Sequence, residues 1–197
     1  MNTGWQIQDK FLEIHSQWVT VIGEHLQDET GQILEYWRVE KADSVIILPI
    51  QNQQLILPPP TYRPGLGDKT LDFPGGRVPQ GEEAVTVVPK ILQRELGITA
   101  DTISQLISLN TQGWAINSSF SNQRLFGFVV ELKPTVQIPS NFVGAMYSIN
   151  DDGIALLLNS LTCLQCRAVL LAWWTKRHFL THVEYDKDDW NKDDWYE

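Results

Sequence analysis

The segment FPGGRVPQGEEAVTVVPKILQRELGI, residues 73–98, decides how this chain is read. A short strand stops at Phe73-Pro74-Gly75-Gly76, and Gly81-Glu82-Glu83 opens a helical segment that runs to about Leu96. Carboxylates at a helix N-terminus sit favourably beside its unpaired amides, and Gly97 stands where a left-handed cap residue ends a helix. One feature inside the segment works against it. Pro89 lacks a backbone donor and disfavours helical geometry at Val88, and the β-branched run Val85-Thr86-Val87-Val88 has weak helix propensity. The helix is therefore expected to kink near 88–89, or to restart with Pro89 at its first position.

Outward from this segment the pattern is α/β (α+β). Trp5 to Ile14, Trp18 to Leu26 and Ile33 to Val39 alternate as strands do, with Asp28 to Gly31 as a turn. Ser44 to Ile50 and Gln54 to Leu57 read as a core hairpin turned by Gln51 to Gln53. Pro58, Pro59, Pro60, Pro64, Gly65 and Gly67 make a long loop, a length usually kept for function or motion. Beyond the segment, strands are expected at Ile103 to Leu109 and Arg124 to Leu132, and helices at Asp151 to Leu158 and Thr162 to Leu180.

At 197 residues, 43% hydrophobic and 20% charged, the chain suits one folded domain whose core needs no disulfide. A net charge of -9 argues against a nucleic-acid or membrane-surface binder, since both need a basic face. The N-terminus lacks the basic start and apolar run of a signal peptide, and Ile154 to Trp174 is broken by Asn159, Gln165 and Arg167. The two cysteines, Cys163 and Cys166, are expected to pack in the core, and a reducing, cytoplasmic setting fits them. With His178 and His182 they approximate a zinc-finger spacing, but along one helix Cys163 and His178 lie roughly 22 Å apart, too far for one ion. The acidic tail repeats Lys-Asp-Asp-Trp at 187–190 and 192–195, which suits either docking on a protein partner or packing back on the domain.

The 73–98 segment resembles the signature box of Nudix hydrolases, G-x5-E-x7-R-E-U-x-E-E-x-G-U, where U is a bulky aliphatic residue. Gly76, Glu82, Leu92, Glu95, Gly97 and Ile98 fall in register, with Lys90 in the arginine slot. The flanks are similar to the ADP-ribose and ADP-sugar pyrophosphatase branch. Tyr62-Arg63 stands where that branch has a Tyr-Arg pair, and Asp72 to Gly76 resembles its E-L-P-A-G run. Asn117 to Gln123 resembles its S-P-G-x-S-x-E loop, and Thr162 to His178 its closing helix. The resemblance implies a Nudix fold, a mixed β-sheet sandwiched between helices. It further implies an N-terminal antiparallel β-extension (1–40) serving as a homodimer element and a Nudix domain (41–183), beyond which lies the acidic Trp-containing tail (184–197). The implied substrate is a nucleoside diphosphate derivative such as ADP-ribose, and the implied cofactor is Mg²⁺ or Mn²⁺. Tyr62, Arg63, Arg77, Gly75, Gly76 and Trp37 would contact substrate, Glu95 and Glu82 would be catalytic, and Glu95, Glu82 and Glu83 would hold metal.

The box departs from the family where the chemistry lies. Hard cations need oxygen ligands, yet Ile91 and Arg94 replace two glutamates, so that Ile91, Arg94 and Glu95 sum to no charge. A dication about 5 Å from Arg94 would be repelled by about 6 kcal/mol at an effective dielectric near 20. The stretch Val136 to Ser148, where the branch commonly carries a glutamate base, has no acidic residue, and Asn141 cannot act as one. Plainer readings stand beside these. Glu82 and Glu83 also serve simply as helix N-terminal charges, Arg63 as a solvated charge, and Trp37 and Trp114 as packing residues rather than base-stacking platforms. Two functions remain open. One is a pseudoenzyme that keeps a nucleotide pocket lined by Arg63, Arg77, Lys90 and Arg94 after losing hydrolysis. The other is an active hydrolase with a rearranged metal site built from Glu82, Glu83, Glu95 and Asp72.

Overall fold

The computed structural model describes residues 4–183. Its strands are β1 (Gln6–His15), β2 (Thr20–Gln27), β3 (Ile33–Glu40), β4 (Ser44–Gln51), β5 (Gln54–Leu57), β6 (Thr61–Arg63), β7 (Asp68–Thr70), β8 (Gly75–Arg77), β9 (Ile103–Ser108), β10 (Trp114–Ala115), β11 (Arg124–Leu132) and β12 (Ala145–Ser148). The helices are α1 (Val88–Leu96), α2 (Asp151–Ser160) and α3 (Leu164–Val183), joined by short 3-10 turns.

A seven-stranded sheet runs β10-β11-β4-β5-β12, with β8 added to β4 and β9 to β11. It is mixed because β11 pairs β4 in parallel while the other pairs are antiparallel. Strand alternation sorts its side chains onto two faces. Ile46, Leu48, Ile50 and Val129 face a cluster with Ile154, Leu157, Val169 and Leu170 of α2 and α3. Val45, Ile47, Phe128 and Val130 face Val88, Ile91, Leu92 and Leu96 of α1. Each such buried aliphatic contributes about 1.5–3 kcal/mol, so the central strands anchor the loops at their ends. This is the expected α+β architecture, with helices on both faces of a mixed sheet.

The helix expected to open at Gly81 starts later. Ala84–Val87 forms a 3-10 turn and α1 restarts at Val88 with Pro89 in its first turn, where a missing N–H costs nothing. Gly97 ends α1 in the left-handed region at φ 67°. The long loop after Leu57 contains the hairpin β6–β7, and β12 has no counterpart among the expected strands. At the start of β12, Gly144 sits against Pro58-Pro59: a Cβ there would fall 2.4 Å from Pro59 Cα and 2.5 Å from the Pro58 carbonyl.

The first three strands form a separate antiparallel sheet. On it Glu24, 1% exposed, accepts from Arg38 Nε at 2.6 Å, while Trp5, Ile7, Phe11, Ile33 and Trp37 are exposed. Val39 N–H donates to the Phe120 carbonyl at 2.8 Å and ties this sheet to the loop before β11. Among the described residues no helix is long and apolar enough to cross a membrane. The Lys-Asp-Asp-Trp tail lies outside the described residues.

Candidate functional site

A cavity of about 720 Å³ opens between the end of α1, strand β8, the β6–β7 hairpin and the start of α3. That volume suits a nucleotide-sized ligand. Two glycines of β8 make it possible. Gly75 and Gly76 pair with Ile46 and Val45 of β4. A Cβ on Gly75 would lie 2.9 Å from the Val45 carbonyl, and one on Gly76 would lie 3.1 Å from Ile91 Cδ1. Only glycine lets β8 run this close to both neighbours.

The wall formed by α1 carries Ile91, Arg94 and Glu95. Ile91 is 2% exposed and packs into the core with Leu92 and Val88, so position 91 offers no ligand atom. Arg94 donates to Glu95 Oε1 at 2.8 Å and to the Gly75 carbonyl at 2.7 Å. The one carboxylate left on this wall is thus already neutralised by its neighbour. Glu82 is paired with Lys90 at 3.0 Å and lines a different depression, beside Trp18 and Lys41, and Glu83 is exposed. A hard cation such as Mg²⁺ requires several converging oxygens. Glu82, Glu83 and Glu95 do not converge, so the donor set does not fit that cofactor.

The opposite wall is built on Asp72, which is nine-tenths buried. Its Oδ2 accepts from Arg63 Nε at 2.7 Å and from Thr70 Oγ1 at 2.9 Å, and Arg63 Nη2 lies at 2.6 Å. Its Oδ1 faces the Cys166 thiol at 3.8 Å. Cys163 is the residue before α3, half-buried at the cavity edge, and Cys166 is buried. A hydrogen bond from Cys166, and backbone amides of Cys166 and Gln165 in the first turn of α3, hold the Cys163 thiol down to about 6 against the opposing effects of burial and Asp72. Cys166 is pushed up, first by its bond to Cys163 and then by burial.

The cavity therefore gathers Tyr62, Arg63, Asp72, Gly75, Gly76, Arg77 and Glu95 from the sequence-expected set. It does not gather Glu82, Glu83, Lys90 or Trp37. Trp37 stands on the exposed face of β3, ring centroid 5.3 Å from Phe11, with Nε1 donating to Glu35. Strand alternation and the separate sheet keep it out of this cavity. Arg77 reaches the cavity edge, and its guanidinium lies 4.1 Å over the Trp18 ring in a cation–π contact. Trp114 packs on the α3 side of the core. The cysteines, expected as core, also line the cavity, because Cys163 precedes the helix instead of lying within it. A Cys-x2-Cys at a helix start is the signal that would have identified them.

No family model matches the chain, and no curated protein matches it. Among solved structures it is similar to one described as the crystal structure of an ADP compounds hydrolase, with a TM-score of 0.69. The identity is 19%, over 91% of this chain and 95% of that one. At that identity the likeness shows the fold alone, and the fold is Nudix-like.

Proposed function

We propose that this Nudix-fold chain binds a nucleoside diphosphate derivative such as ADP-ribose in the 720 Å³ cavity, and that its hydrolase activity is lost or much reduced. One observation carries the reading: Arg94 occupies Glu95 and the Gly75 carbonyl together, turning the family's metal-holding wall into a guanidinium-bearing one. Arg63 and Arg94 are about half exposed at the cavity, with N–H groups left to donate to phosphate oxygens. The likeness to an ADP compounds hydrolase supports the ligand class. The exposed aromatic and aliphatic side chains of the β1–β3 sheet support a homodimer formed through that sheet.

Calorimetry with ADP-ribose in excess EDTA is expected to register binding, and chromatography after incubation with Mg²⁺ or Mn²⁺ is expected to find the ligand intact. Turnover in the ordinary range of about 1–10³ per second would overturn the loss of activity. It would favour the active hydrolase with a rearranged metal site instead. Binding that strictly required a divalent metal would count against the guanidinium wall.

A further inference from the structure

We propose that Asp72, Cys163 and Cys166 form a binding site for a thiophilic divalent cation, of which Zn²⁺ is the prototype, with its fourth coordination position open to the cavity. Asp72 Oδ, Cys163 Sγ and Cys166 Sγ all lie within 4.8 Å of one another. A tetrahedral zinc with bonds of about 2.3 Å to sulfur and about 2.0 Å to oxygen has ligand-to-ligand edges of about 3.5–3.8 Å. The Cys166 Sγ to Asp72 Oδ1 separation, 3.8 Å, is already such an edge. The other two separations are within 4.8 Å, a gap to such an edge of about 1 Å or less, which side-chain rotation can close.

Three further features suit a metal. The carboxylate is oriented by groups that bind only its other oxygen: Arg63 and Thr70 hold Oδ2 and leave Oδ1 turned to the thiols. Outer partners of this kind fix ligand geometry at metal sites. Charge also balances. Two thiolates and a carboxylate with Zn²⁺ sum to minus one, and Arg63 offsets it at 2.6 Å from Asp72. The metal binds both sulfurs as thiolates, and the ligand softness selects zinc over Mg²⁺ or Ca²⁺. All three ligands line the cavity, so the remaining position is filled by water or by an oxygen of whatever the cavity holds. This differs from the C-x2-C and H-x3-H combination, which one helix cannot bring to a single ion, because the third ligand comes from the β7–β8 connection.

The site does not rest on the nucleotide reading, and its test contains no nucleotide. Reduced, chelator-stripped full-length protein is titrated with Zn²⁺ and, separately, with Co²⁺. The expected result is uptake of one zinc per chain and a cobalt spectrum with a thiolate-to-metal charge-transfer band and tetrahedral visible bands. Cys163→Ser and Cys166→Ser should abolish tight uptake, Asp72→Asn should weaken it, and Arg63→Ala should weaken it by about 10–100-fold. Because Cys166 is a core residue, a chemical arm guards against misfolding. Iodoacetamide applied to the folded wild-type protein reaches the half-exposed Cys163 and should block uptake as Cys163→Ser does. No zinc uptake, zinc that survives both loss of Cys166 and alkylation of Cys163, or a six-coordinate cobalt spectrum without a thiolate band would each overturn the proposal.

Discussion

Across one cavity, the end of α1 and the start of α3 offer opposite kinds of donor. The α1 wall holds one carboxylate, Glu95, tied to Arg94, and backs onto the apolar Ile91. Facing it, Asp72 keeps one oxygen uncommitted to Arg63 and Thr70 and turns it toward two thiols. The difference shows that a ligand set is a property of convergence rather than of residue count. Glu82, Glu83 and Glu95 are all on or near α1 and do not converge, whereas Asp72 and Cys166, 94 residues apart in sequence, meet.

The largest effect that would break this contrast is at Ile91. If the α1 wall is core, Ile91→Glu buries a carboxylate without a partner and lowers the unfolding free energy by about 3 kcal/mol or more, as read by urea denaturation. Adding Arg94→Glu should make stability rise with millimolar Mg²⁺, since a ligand that binds only the folded state stabilises it. A fully stable Ile91→Glu, or a double variant blind to Mg²⁺, would remove the distinction between the walls. A middle-sized effect concerns how β8 reaches the cavity. Gly75→Ala places a Cβ against the Val45 carbonyl, a backbone atom 2.9 Å away that cannot step aside. It should cost about 1–3 kcal/mol. Gly76→Ala meets only side-chain ends, Ile91 at 3.1 Å and Arg94 at 3.3 Å, and should cost less. The reverse order in thermal melts would mean that close backbone approach does not position the strand. The smallest stability effect is at Arg94, whose pair with Glu95 is solvent-exposed: Arg94→Ala should shift stability by less than about 1 kcal/mol. Its effect on ADP-ribose affinity in EDTA should be larger, about tenfold weaker, and equal affinity would place the anion contacts on Arg63 alone.

The fold was legible where periodicity is local. Arg124–Leu132 matches its expected bounds residue for residue, and the β4–β5 hairpin differs by one residue, because continuous apolar runs bury both faces of a central strand. Ala145–Ser148 was not legible: four residues with little alternation become a strand only by pairing with β5. The late start of α1 was half legible, since Pro89 foretold a restart but not that the preceding turn would be 3-10. At the cavity, the glycines and Arg63 could be read from the order of the 73–98 segment and its flanks. Neutralisation of Glu95 by its immediate neighbour was legible only as a change of charge. The Asp72–cysteine cluster joins segments that no local pattern connects, and reading Cys163 as inside the helix hid it.

The Pro58-Pro59 segment, with Gly144 fitted against it, has a consequence for the thermodynamics of whatever enters. Both prolines line the cavity mouth with fixed φ, and the Gly144 N–H donates to the Leu57 carbonyl at 2.8 Å directly beside them. This part of the rim holds one conformation before any ligand arrives, so little ordering entropy is lost there on binding. Another part of the rim is the β6–β7 hairpin, whose Leu66 is 66% exposed and whose turn is closed by two backbone bonds to the Arg63 carbonyl. A ligand thus meets one preorganised lip and one that has rotamers to lose, and its binding entropy is set mainly by the side bearing Tyr62 and Arg63.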